Sequence, residues 1–172
     1  MAAPLFFVVA LLYSSVGHAG ASGYLAVMAL IGVLPAEMRP AALILNLLVA
    51  TIGARNFIGA GHFRWSLAWP FLITSVPMAY LGGRLALPVD VYRTVVGVVL
   101  LLSALRFVIT LRAADAPGRV PPRPVAMAAG AALGLLAGLT GVGGGIFLSP
   151  LLLLAGWANL RTTAATSVVF IL

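Results

Sequence analysis

The residues that could do chemistry in this chain are mostly not charged. Two glycine clusters lead: Gly17-His18-Ala19-Gly20-Ala21-Ser22-Gly23 and Gly141-Val142-Gly143-Gly144-Gly145. Glycine permits positive φ and close backbone approach. Freed N–H groups at the start of a helix, from Ile146 onward, would point into the second break. Such a helix end carries a partial positive charge and binds anions without a cationic side chain. The competing reading is that the glycines only allow tight helix crossing. No Gly-Lys-Ser/Thr follows the cluster, so it is not a nucleotide-binding P-loop.

Around these clusters stand neutral polar side chains in apolar runs: Asn46, Thr51, Thr140, Thr166 and Ser167. Such groups either hydrogen-bond between helices or line a pathway. Asn46 and Ser167 follow the two clusters at related places, which favours the pathway. His18 could donate to an anion or carry a proton, or simply satisfy a backbone carbonyl. The candidate substrate-binding set is therefore Gly143, Gly144, Gly145, Ile146, Thr140, Asn46, Ser167, His18 and Gly20. Arg84 ends an apolar stretch and reads as a residue snorkelling to water. Gly130, Gly134 and Gly138, four apart, read as a stripe for close helix packing.

Other chemistries lack their parts. There is no Cys, which excludes disulfides and thiolate nucleophiles. Two His and three acids give no plausible metal cluster. No nucleophile–base pair or paired carboxylates are present. The expectation is a protein without a cofactor, without a metal and without catalytic residues.

The elements that position these residues are membrane-like. Of 172 residues 63% are hydrophobic and 8% charged, against about 25% charged in a soluble domain. The net charge of +7 comes from ten Arg and no Lys. The Arg residues sit singly at the ends of apolar stretches, a pattern of topology control rather than nucleic-acid binding. The stretches run 4–34, 40–53, 66–87, 91–111, 125–156 and from 161 onward. The first and fifth are too long for one upright span of about 20 residues, and both are broken by the glycine clusters. Two half-helices meeting at a glycine loop is the simplest picture of each. Met1 to Val16 lacks the basic start of a signal peptide and reads as a retained membrane segment.

The two broken segments resemble each other, and Arg39-Pro40-Ala41-Ala42 follows the first as Arg161-Thr162-Thr163-Ala164-Ala165 follows the second. This predicts an all-α polytopic membrane protein with two related halves. Residues 1–112 form the first repeat, a broken helix plus three spans. Residues 113–123 form a linker, and 124–172 begin a second repeat that the sequence leaves incomplete. The expectation is thus a C-terminally truncated chain. Paired broken helices are the best sequence pointer to a transporter's substrate site. The linker region, with Arg112, Arg119 and Arg123 against Asp115, is expected on the cytoplasmic side.

The run Gly134-Leu135-Leu136-Ala137-Gly138-Leu139-Thr140-Gly141-Val142-Gly143-Gly144-Gly145 with Pro150, and Ala164-Ala165-Thr166-Ser167, resembles the sulfite exporter TauE/SafE family of membrane permeases. Gly61-His62-Phe63-Arg64-Trp65 and Gly82-Gly83-Arg84-Leu85-Ala86-Leu87-Pro88 add to the likeness. The resemblance implies a helical permease of two related halves in the bacterial inner membrane, carrying sulfite, sulfonates or related organosulfur anions. The first cluster departs from that family's Gly-x-Gly-Gly-Gly. The implied partners are a small anionic solute and the lipid bilayer, with a homo-oligomer as a further expectation. The alternative is a non-transporting structural or assembly subunit of a membrane complex.

Overall fold

The computed structural model describes residues 3–15, 19–85, 94, 98, 101, 119–141 and 143–172. His18 and nearly all of the fourth apolar stretch, 91–111, lie outside these residues, as does the linker through 118. The described residues form seven helices and no strand: α1 Ala3–Ser15, α2 Ala21–Leu30, α3 Pro35–Gly59, α4 Trp65–Arg84, α5 Arg123–Thr140, α6 Gly145–Leu154 and α7 Leu160–Ile171.

Local chemistry sets the boundaries. Helix α3 starts at Pro35, where a missing N–H costs no helical bond, and so runs longer than the stretch 40–53 suggests. Arg55 does not stop it, because Arg is a good helix former. It ends before Gly61, whose φ is 72°. Helices α2 and α6 are each ten residues long and end alike. Gly32 (φ 76°) donates to Ala29 and Val33 to Met28, at 3.2 and 3.0 Å; Gly156 (φ 65°) donates to Leu153 and Trp157 to Leu152, at 3.1 and 2.9 Å. Each is a Schellman cap, in which a left-handed glycine lets the chain turn back and satisfy the last carbonyls.

Contacts fix the helix directions. Gly20 lies beside Tyr13, Gly23 beside Val9, and the Tyr24 ring is 6.0 Å from that of Phe6. Helix α2 therefore runs back along α1, and the first broken segment is a hairpin. The second is a hairpin as well. Leu148 and Leu152 pack in one cluster with Ala126, with Ala129 and Leu133 against it, and the N–H of Arg119 donates to the Gly156 carbonyl at 2.9 Å. The start of α5 and the end of α6 thus share one end of the molecule, here termed the linker end.

Helices α4 and α5 run parallel and form the closest helix pair. A methyl built on Gly130, Gly134 or Gly138 would strike the carbonyl oxygens of Phe71, Ser75 and Ala79 respectively. The four-residue glycine stripe is therefore a close-packing surface. Gly82 answers from α4 against Leu135, and the Thr74 hydroxyl donates across to the Met127 carbonyl at 2.8 Å. Helix α7 crosses α3 in the opposite sense: Gly53 meets Val168, while Gly143, beside Asn46, meets Ile171.

The exterior is apolar and much of the interior is small or polar. On α3, Ile44, Leu47, Leu48 and Ile52 are exposed while Asn46, Ala50 and Ala54 are buried. On α7, Thr162, Thr163, Thr166 and Ser167 are all buried. Large hydrocarbon side chains facing out and hydroxyls facing in suit lipid as the surrounding solvent. Two helical windows, Pro40–Gly59 and Arg123–Thr140, are long and apolar enough to cross a membrane, and 22% of each is buried. Arg84, at the last position of α4, lies with its guanidinium 4.4 Å from the Tyr80 ring centre.

Candidate functional site

Both breaks deliver the start of a short helix to the middle of the molecule. The first turn of any α-helix has N–H groups with no partner inside the helix. At the first break Gly20 is the N-cap of α2 with φ 93°. The turn is narrower than the glycine cluster, since Ala21, Ser22 and Gly23 already belong to α2. At the second break Gly141 (φ 68°) and Gly143 (φ 85°) make the reversal and Gly144 is the N-cap of α6. Gly144 itself has φ −72°, so the left-handed requirement falls on its neighbours.

The predicted residues divide into those the fold gathers and those it engages elsewhere. Asn46 is 97% buried, and a methyl on Gly143 would sit 3.1 Å from its Nδ2. Gly143, Gly145 and Ile171 cluster there. Ala19, from the first break, packs with Ala50 and Val168, with Ile171 against them. Both breaks thus border the α3–α7 crossing. Gly144 is covered by the Phe170 ring, and Gly145 by Ile171 and the Ser167 carbonyl. Their lack of side chains is needed for packing whatever else they do. Ile146 is half-buried.

Two hydroxyls have hydrogen-bond partners within the bundle. Thr140 donates to the Leu136 carbonyl of its own helix at 2.7 Å, which is the usual local competition for a hydroxyl in a helix. Ser167 is fully buried and its Oγ lies 2.7 Å from Ser149 Oγ, one donating to the other. That bond ties α6 to α7. Ser149 went unremarked in the sequence, although a serine in an apolar run just before Pro150 was a signal. Counted from the first helical residue, Asn46 stands one turn deeper in α3 than Ser167 does in α7. Helix α7 is capped by Asn159, whose Oδ1 accepts from the Thr162 N–H at 2.9 Å.

Tyr24 is the other residue the sequence reading passed over. It is 1% exposed, and among the described residues its hydroxyl has no hydrogen-bond partner. Thr163 Oγ1 is in the same state. Among the described residues no group of His, Asp or Glu is arranged to hold a metal.

An apolar-faced helical bundle with two glycine breaks bordering one helix crossing has features of membrane proteins built from broken helices. The sequence matches the sulfite exporter TauE/SafE family over residues 2–172, and the chain belongs to that family. It is 42% identical, over 175 aligned positions, to a probable membrane transporter protein of Sinorhizobium fredii, the alignment covering 96% of this chain and 68% of that protein. No solved structure matches.

Proposed function

We propose that the protein is a multi-pass inner-membrane secondary transporter of small anions, of the sulfite, sulfonate and related organosulfur class. Its two hairpin units, α1–α3 and α5–α7, act as inverted repeats, the first spanning residues 1–112 with the fourth stretch and the second beginning after the 113–123 linker. The observation that carries the reading is the meeting of both breaks at the α3–α7 crossing, where Asn46 lies against Gly143. A ten-residue helix is about 15 Å long, half of a hydrocarbon core of about 30 Å. Hairpins entering from opposite faces would bring both helix starts near the midplane. Two positive helix ends there suit an anion, and inverted broken helices are the usual frame for such a site. The anion would contact N–H groups of Gly145 and Ile146 and the Asn46 amide, with Gly20 on the other side; His18 stays a candidate through its place in the sequence beside Gly20. Thr140 and Ser167 support the surrounding helices.

Uptake of labelled sulfite and sulfoacetate by proteoliposomes tests this. Gly143→Ala places a side chain at φ 85° and against Asn46, and is expected to abolish transport at equal membrane abundance. Asn46→Ala is expected to weaken it about two- to tenfold, the worth of one net hydrogen bond. Normal transport by Gly143→Ala would sink the site. The Phe170 ring on Gly144 favours a second reading, a non-transporting structural or assembly subunit with packed glycines; it predicts no saturable uptake by the purified protein.

A further inference from the structure

We propose that the Tyr24 hydroxyl is a side-chain donor to the transported oxyanion at the start of α2. The proposal rests on the reading that the two breaks hold the transported anion. Helical side chains lean toward the N-terminus of their helix, and Tyr24, the fourth residue of α2, leans over the N-cap. A methyl built on Gly20 would lie 3.0 Å from Tyr24 Cζ and 3.1 Å from its Oη. The hydroxyl is therefore held at the helix end where the unpaired first-turn N–H groups lie. Gly20, in the left-handed conformation and without a side chain, leaves room for the end of the Tyr24 ring there.

The described residues give the hydroxyl no structural reason to be there. It is buried and unpartnered among the described residues, and a buried polar group left unpaired opposes folding. The ring alone would fill the space between Phe6, Met28 and Ala42. The fourth residue of α6 is Leu148, equally buried, so the corresponding place in the second hairpin is met by hydrocarbon. A polar atom kept at one of two equivalent packing positions, and aimed at a helix start, calls for a ligand. The chemistry that satisfies it is an anionic oxygen such as that of a sulfite or a sulfonate head. The hydroxyl donates its proton as a hydrogen bond, and the first-turn N–H groups of α2 supply the rest.

Tyr24→Phe in the full chain removes the hydroxyl and keeps the ring. The expected result is an unchanged or raised melting temperature without ligand, together with a KM for sulfite raised about tenfold or more, the worth of a hydrogen bond to a charged group. Sulfite should also protect the variant less against thermal unfolding. A lowered melting temperature without ligand would show a structural hydroxyl and overturn the proposal. An unchanged KM would overturn it too. If Gly143→Ala is inactive while Tyr24→Phe transports normally, the Tyr24 assignment falls and the transport site stands. If the wild-type protein shows no saturable uptake of sulfite or sulfoacetate, both fall.

Discussion

The two breaks use one backbone device and cover it differently. Each turns a hairpin and starts a ten-residue helix that closes with the same glycine cap. At the first, the Tyr24 ring lies over Gly20 and the Tyr13 ring beside Gly23, and one hydroxyl is left unpartnered among the described residues. At the second, Phe170 and Ile171 cover Gly144 and Gly145, and the polar neighbour is an amide reaching in from α3. Symmetry of the chain path therefore does not carry symmetry of chemistry. The first break offers a donor from its own helix; the second depends on α3 and α7 to bring one.

The sharpest way to break the comparison is topological, and its readout is all or none. Ile31 and Ala155 occupy the same cap position in the two hairpins. If the units are inverted, an impermeant thiol reagent applied to intact cells labels Ile31→Cys and spares Ala155→Cys. With a cytoplasmic 112–123 loop, Gly61→Cys and Ala114→Cys are spared as well. Labelling of both cap positions would mean that the units are parallel.

The second test separates packing from recognition at the second break. Gly144→Ala drives a methyl into the Phe170 ring, and overpacking of this kind costs about 1–3 kcal/mol. Because φ at Gly144 suits any residue, the loss should be relieved by Phe170→Leu in the same chain, measured as thermal unfolding in detergent. Recovery of stability without recovery of transport would assign Gly144 a role at the anion as well. No recovery of stability would sink the packing account.

An effect of similar size is expected at the bond that holds α6 on α7. Ser149→Ala leaves Ser167 without its partner, which costs about 1–3 kcal/mol for a buried group, whereas replacing both serines should be nearly neutral. Additive losses in the double variant would show that the two hydroxyls do not act as a pair. The first hairpin has no equivalent bond among the described residues, with Leu25 and Ala42 at the corresponding positions of α2 and α3.

Much of this was open to reading along the chain. Runs of apolar residues and scarce charge fix a helical chain in lipid, because backbone groups there must bond within their own helix. Glycine clusters fix where those helices break, and Gly130, Gly134 and Gly138 fix a close crossing, because each effect needs only the residue's own lack of a side chain. That the half-helices at each glycine loop turn back as hairpins was decided by packing, since direction after a break depends on what the second arm packs against. The first break also proved shorter than its glycines, because Gly23 is held in α2 against Val9 and Tyr13. Which polar groups remain available was decided only in three dimensions. Thr140 spends its proton on Leu136 and Ser167 is matched with Ser149, while the Tyr24 hydroxyl over Gly20 has no partner among the described residues. Hydrogen bonding reaches about 3 Å, so a polar residue's role is set by the helix crossings that bring a partner within that distance or leave it out.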